Sequence, residues 1–188
     1  IGGGSDQVTP SWSFYTDAVN IILGLRRESQ VTFQIDGIFI SRAKTDVPDL
    51  GSNNAFVKLA FTGKRIRKIT VNFSTSASGF AGVFVLPTDS VWATENPLSA
   101  IVFGDSFSTG TATNPAGYSW PVATAKYLGI DDYQVSGIGG TGFAAVGVDG
   151  NFPSRFLLDG VHRNFDIVCV SSSTNDNART QEELNGSV

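Results

Sequence analysis

The chain has 188 residues, of which 41% are hydrophobic and 16% charged, and its formal net charge is -4. That composition suits a globular chain of one or two domains with a sizeable core, and it excludes the basic stripe of a nucleic-acid-binding protein. The apolar runs at 21–23 and 82–86 fall far short of the roughly 20 residues a membrane-spanning helix needs, so no span is expected.

The start, Ile1-Gly2-Gly3-Gly4, has no initiating Met and no signal-peptide pattern, and reads as processed, trimmed or incomplete. Residues 17–25 fit a short helix or a strand equally. From there the chain reads as short strands at 31–41, 55–62, 66–74 and 80–86, separated by clusters of Gly, Asn, Asp and Ser. In the third of these, Ile69, Val71 and Phe73 fall on one face, as a half-buried antiparallel strand requires. Lys64, Arg65, Arg67 and Lys68 read as a solvated turn and strand face. Residues 1–96 are therefore expected to form a jelly-roll-like β-sandwich accessory domain, with the junction at Asn96-Pro97.

Residues 97–188 follow a different pattern, with strands and helices alternating. The apolar runs 100–103 and 167–170 are continuous, as in strands covered on both faces. Between them Ser119 can cap a helix with Pro121 in its first turn, Val122, Ala125 and Leu128 on one face, and Gly129 as its stop. Residues 133–136 give a second strand. A second helix near Pro153, carrying Phe156, Leu157 and Val161, leads to the third strand at Asp166. The fold class is α/β with a parallel sheet. The single cysteine, Cys169, excludes an internal disulfide and, inside an apolar run, reads as a buried structural thiol.

In a parallel sheet reactive groups gather at the carboxyl ends of the strands. Gly104-Asp105-Ser106 follows the first strand, Gly137-Ile138-Gly139-Gly140-Thr141-Gly142 the second, and Ser173-Thr174-Asn175-Asp176 the third. Acyl transfer needs a nucleophilic hydroxyl and donors aimed at the developing oxyanion; Ser106, the backbone N–H of Gly140 and the amide of Asn175 are of those types. The Asn175-Asp176 pair is also compatible with a loop that hydrogen-bonds its own backbone.

In order and spacing these blocks, over residues 98–178, resemble the SGNH (GDSL-type) esterase/lipase family. The resemblance implies a flavodoxin-like parallel sheet, incomplete in this chain, with Ser106 as nucleophile and donor and Gly140 and Asn175 as the second and third oxyanion donors. It implies no cofactor and no metal. Two departures stand out. Ser173 occupies the place where the family usually has Gly, and the family's Asp-x-x-His block, which supplies the base, has no counterpart after Asp176.

Two other patterns are set aside. Gly137-x-Gly139-x-x-Gly142, with Asp159 further on, matches a dinucleotide fingerprint, but that fingerprint needs a helix opening at its third glycine, and Gly147, Gly150 and Pro153 interrupt any such helix. Asp159-x-x-His162 has the spacing of a catalytic pair and holds the only histidine. His162 precedes the third strand, at the amino ends of the sheet, a strand length of roughly 17 to 20 Å from Ser106. A general base must come within about 3 Å of its proton, so His162 reads as a surface residue.

The third strand, expected in the sheet interior, would have a bare apolar edge over 165–171, with neither Pro nor Lys to protect it. A C-terminal remainder or a second chain is expected to cover it and to bring the histidine, so that this chain alone would be nearly inactive. The function expected is that of a serine esterase acting on an acylated carbohydrate or other small ester, extracellular or virion-associated. The alternative is a non-catalytic glycan-binding or virion/cell-surface structural module with a degenerate esterase domain.

Overall fold

The computed structural model describes residues 8–26, 30–41, 43, 45–47, 54–73, 80–95, 98–109, 119–147, 150–161, 163–171, 173–177 and 179–186. The expected junction at Asn96-Pro97 and the histidine His162 lie outside them.

The first half is antiparallel. Its strands are β1 (Val8–Thr16), β2 (Asn20–Arg26), β3 (Gln30–Ile35), β4 (Ile38–Phe39), β5 (Thr45–Asp46), β6 (Asn54–Ala60), β7 (Arg67–Phe73), β8 (Phe80–Phe84) and β9 (Val91–Ala93). Strand β2 settles the open segment at 17–25. Ile21, Leu23 and Leu25 are buried while Ile22 is 41% exposed, a period of two that only a strand produces. The expected single strand at 31–41 is a hairpin instead, because Asp36 and Gly37 take φ of 51° and 80°, the backbone that a two-residue Asp-Gly turn requires. Strands β6, β2 and β8 form one small sheet; β1, β7, β3 and β4 lie side by side in a larger one. Phe14, Ile21, Leu23, Leu25, Val31, Phe33, Leu59, Ile69 and Val71, drawn from both sheets, make one buried apolar cluster.

The second half adds β10 (Ser99–Gly104), α1 (Ser106–Thr109), α2 (Trp120–Tyr127), β11 (Asp132–Gly137), α3 (Phe152–Arg155), a π-helical turn (Phe156–Gly160), β12 (Ile167–Val170), a 3-10 turn (Thr174–Asp176) and α4 (Gln181–Asn185). Strand β10 is buried throughout and lies between β11 and β12, parallel to both. On one face, Val122 and Ala125 of α2 pack with Ala100, Ile130, Tyr133 and Val135; on the other, the Phe103 ring meets Phe156 at 5.5 Å. The bounds of α2 are as the sequence predicts: Ser119 holds the N-cap position, although its side chain makes no capping bond, Pro121 lies in the first turn, and Gly129 takes φ +71° just past the end.

Three expectations are corrected. Leu128 is 57% exposed, because the helix ends at Tyr127 and its buried stripe stops at Ala125. The helix after Pro153 buries Phe152, Arg155 and Asp159, leaving Phe156, Leu157 and Val161 exposed. Cys169 is only half-buried, because among the described residues β12 has β10 as its one neighbour; the outer edge of the strand is bare, as expected, with Val168 and Val170 about half exposed.

The two halves share β1. Its Val8–Pro10 stretch pairs antiparallel with Gln134–Ser136 of β11, and from Ser11 onward it pairs with β7. Beside this crossover the Tyr133 hydroxyl donates to Asn72 Oδ1 at 2.7 Å, and Ser11 Oγ donates to the same oxygen at 3.1 Å. Burial pushes the Tyr133 phenol up, so it stays a donor.

Because alternate residues of β2 face opposite ways, Leu23→Ala is expected to lower the unfolding free energy by about 3 kcal/mol. Its neighbour Ile22→Ala should cost less than about 1 kcal/mol. Urea denaturation of both variants measures the difference.

Candidate functional site

The parallel register of the second half sets Gly104 opposite Gly137 and Phe103 opposite Val170, so three loops leave the sheet at one edge. Both glycines are needed for close approach. A Cβ on Gly104 would overlap the Ser108 side chain, and one on Gly137 would meet Thr109 Cγ2 at 2.6 Å. Their absence lets α1 fold back across the strand ends.

The first loop is fixed by Asp105, which is 2% exposed. Its Oδ1 accepts from Phe107 N at 2.9 Å, and its backbone oxygen accepts from Ser108 N at 3.1 Å. Ser106 is thereby placed at the first position of α1, half-buried, with its Cβ 3.6 Å from where a Cβ on Gly139 would sit.

The second loop turns rather than opening a helix. Thr141 N and Thr141 Oγ1 both donate to Ile138 O, at 3.4 and 2.8 Å, closing a turn with Gly139 and Gly140 at its tip. Gly140 takes φ +78°, and no atom lies within 4 Å of its would-be Cβ. Gly142 N then bonds Ala145 O, and Phe152 N bonds Gly142 O. No helix starts at the third glycine, so the dinucleotide pattern is a coincidence of spacing. Asp159, the acidic residue of that pattern, is instead buried and accepts from Ser136 Oγ at 2.6 Å.

The third loop fastens the other two. Ser173 Oγ caps the 3-10 turn by accepting from Asn175 N at 3.1 Å, and it lies 2.7 Å from Thr141 O and 3.2 Å from Asp105 Oδ2. Asn175 Nδ2 donates to Thr141 O at 2.8 Å and lies 3.0 Å from Ser173 Oγ and 3.5 Å from Asp105 Oδ2. Asp176 accepts from three consecutive backbone N–H groups, Phe143, Ala144 and Ala145, at 2.8, 3.1 and 2.9 Å. Burial pushes the Asp176 carboxyl up, but those three N–H groups, with Arg179 nearby, outweigh it and hold it below the usual carboxylate range.

Of the residues that the sequence singles out, Ser106 lies against the Gly139-Gly140 tip and Asn175 is bonded to the carbonyl of the residue after Gly140. Asp105, Thr141, Ser173 and Asp176 are further parts of the assembly. Ser173 had a signal, since a Ser two residues before an Asn is a familiar cap for a short turn. Asp176 binds the backbone of a different loop, not its own. Among the described residues no three His, Cys, Asp or Glu side chains group as a metal site.

No family model matches the chain, and no curated protein matches it. Solved structures do. A family two carbohydrate esterase from Clostridium thermocellum in complex with cellohexaose aligns with a TM-score of 0.70 at 16% identity, covering 100% of this chain and 70% of that one. An acetyl xylan esterase from the rumen bacterium Butyrivibrio proteoclasticus aligns at 0.67 and 14%, covering 93% and 63%. A family two carbohydrate esterase from Cellvibrio japonicus aligns at 0.67 and 17%, covering 93% and 60%. The fold is that of the SGNH-type carbohydrate esterases.

The cradle around Asp176 gives a pH-dependent prediction. A carboxyl held below its ordinary value stabilises the native state above its unfolded-state value and loses that contribution as pH falls through the lower folded-state one. Asp176→Asn is therefore expected to cost about 2 kcal/mol at pH 7. The gap to wild type should close under acid, below the ordinary value of 3.8. Urea denaturation from neutral to acid pH checks it, and a pH-independent gap would contradict the cradle's role.

Proposed function

We propose that this chain belongs to a serine carboxylic-ester hydrolase of SGNH type that removes small acyl groups, acetyl foremost, from carbohydrate. The observation that carries this reading is the fastening of three strand-exit loops by Asp105, Ser173, Asn175 and Asp176, which gathers Ser106, the Gly140 turn and the Asn175 amide at one edge of the sheet.

In this reading Ser106 Oγ attacks the acyl carbonyl carbon while its proton passes to a base. The oxyanion of the tetrahedral intermediate is held by the Ser106 and Gly140 N–H groups and by Asn175 Nδ2. Collapse expels the sugar alcohol and leaves an ester on Ser106. Water then attacks that ester, regenerating the hydroxyl and releasing the carboxylate. Thr141 O takes one hydrogen of the Asn175 amide and fixes its plane, and in this reading the other turns from Ser173 Oγ and Asp105 Oδ2 to the oxyanion as it forms.

The base is a histidine supplied by polypeptide other than these residues. The bare edge of β12 and the apolar groove beside it, about 350 Å³ between Phe103, Phe143, Phe152, Phe156, Leu157 and Val170, are where that polypeptide seats. Residues 1–96 form a β-sandwich accessory unit and 97–188 carry the chemistry, β1 being shared between them. The acetyl preference rests on the esterases of like fold, and a polymeric carbohydrate substrate goes with an extracellular location.

The second reading is a glycan-binding or structural module with a degenerate esterase half, since the one histidine of the sequence, His162, precedes β12 while Ser106 follows β10. The two part on one assay. A small acetyl ester is offered to the 188-residue chain and to the protein extended by its base-supplying polypeptide. The longer form is expected to turn over, with Ser106→Ala abolishing activity, and the shorter form to be slower by up to about 10⁶-fold. Equal robust activity from both would refute the missing base. No activity from either would favour the binding module.

A further inference from the structure

Among the described residues the largest fully buried side chain is a charged one. Arg155 is 0% exposed, at the end of α3 where the π-helical turn begins. Burying a guanidinium is costly unless its donors are matched, and an apolar residue of similar size would serve stability as well or better. What Arg155 holds is therefore informative.

One nitrogen, Nη1, donates to Ser136 O and lies 3.1 Å from Ser136 Oγ. The other, Nη2, donates to Gly104 O at 2.9 Å and to Thr141 Oγ1 at 3.0 Å. Gly104 closes β10 two residues before Ser106, Ser136 is the next-to-last residue of β11, and Thr141 follows Gly140. The planar fork thus spans both strand ends and the glycine turn at once. Thr141 Oγ1 passes the constraint on by donating to Ile138 O, which closes that turn. On the far side Asp159 accepts from Ser136 Oγ, so the serine hydroxyl stands between the guanidinium and a carboxyl group. The Phe152 ring, 5.0 Å from the guanidinium carbon, closes the pocket.

We propose that Arg155 is a positioning residue that sets the Ser106 and Gly140 backbone donors in register with each other. It does not touch the ester. It fixes the carbonyl two residues before one donor and the hydroxyl next to the other, so a single rigid group governs their separation. Lysine cannot replace it, because a lone ammonium cannot bridge two strand ends and a turn in one plane. A displacement of about 1 Å in such donors is enough to cost on the order of a hundredfold in rate.

The catalytic consequence rests on the esterase reading; the geometric one does not. The test therefore has two readouts on Arg155→Lys. In the esterase-competent protein, kcat is expected to fall about a hundredfold while KM stays within about twofold, since the donors act on the transition state. In the 188-residue chain, amide hydrogen exchange at Ile138 and Thr141 is expected to quicken about tenfold or more, with β7 amides unchanged. Should Arg155→Lys fail to fold, Thr141→Val, which removes one acceptor of the fork, decides the matter with an expected kcat loss of about tenfold. An active protein whose kcat and Ile138 and Thr141 exchange are unmoved by these changes overturns the proposal. A wild type that hydrolyses no ester, yet whose turn loosens in Arg155→Lys, overturns the esterase reading and leaves the clamp standing.

Discussion

The parallel register of β10 with β11 and β12 is the constraint from which the site follows. With Gly104 paired to Gly137 and Phe103 to Val170, three loops emerge side by side, and their backbone groups must find partners off the ladder. They find them in one another. Asp176 takes up three N–H groups of the second loop, the Asn175 amide takes up a carbonyl of the same loop, and Ser173 reaches both that carbonyl and the carboxylate of the first loop. Satisfying the loops and assembling the site are one event. That is why a motif as short as Gly-Asp-Ser has a defined orientation only in company with the other two.

The antiparallel half is more than an appendage. Strand β1 runs from the side of β11 to the side of β7, so the parallel sheet is bounded on that flank by a strand of the first half. The opposite flank, β12, has no such neighbour among the described residues. This asymmetry separates the finished side of the molecule from the side where a partner polypeptide is proposed. The apolar residues exposed there, Phe156, Leu157, Val168 and Val170, are the kind a further layer would bury.

Much of this is legible in the sequence because it is local. The Ser119 cap, Pro121 and Gly129 delimit α2, and unbroken apolar composition marks β10 as a strand buried on both faces. Order along the chain places Ser106, Gly140 and Asn175 at three successive strand exits. What stays hidden is non-local. In β1 the alternation of Trp12 and Phe14 with serines is genuine, but Pro10 disguises a strand that changes partners. In residues 167–170 the half-buried Cys169 stays hidden, because an unbroken apolar run reports hydrophobicity and not how much of the strand its neighbours cover. Arg155 looks like any helix-surface arginine, since no local pattern announces that both of its sides will be enclosed. Asp36-Gly37 differs from these: the dipeptide is a plain local hairpin signal, and its positive φ divides residues 31–41 into two strands.

The most direct measurement is a crystal structure of the esterase-competent protein carrying a phosphonate bonded to Ser106 Oγ. The phosphoryl oxygen stands where an ester's oxyanion would develop. It should lie within about 3 Å of the Ser106 and Gly140 nitrogens and of Asn175 Nδ2 at once. A phosphoryl oxygen turned to solvent, or an adduct on some other serine, would contradict the site proposed for this chain.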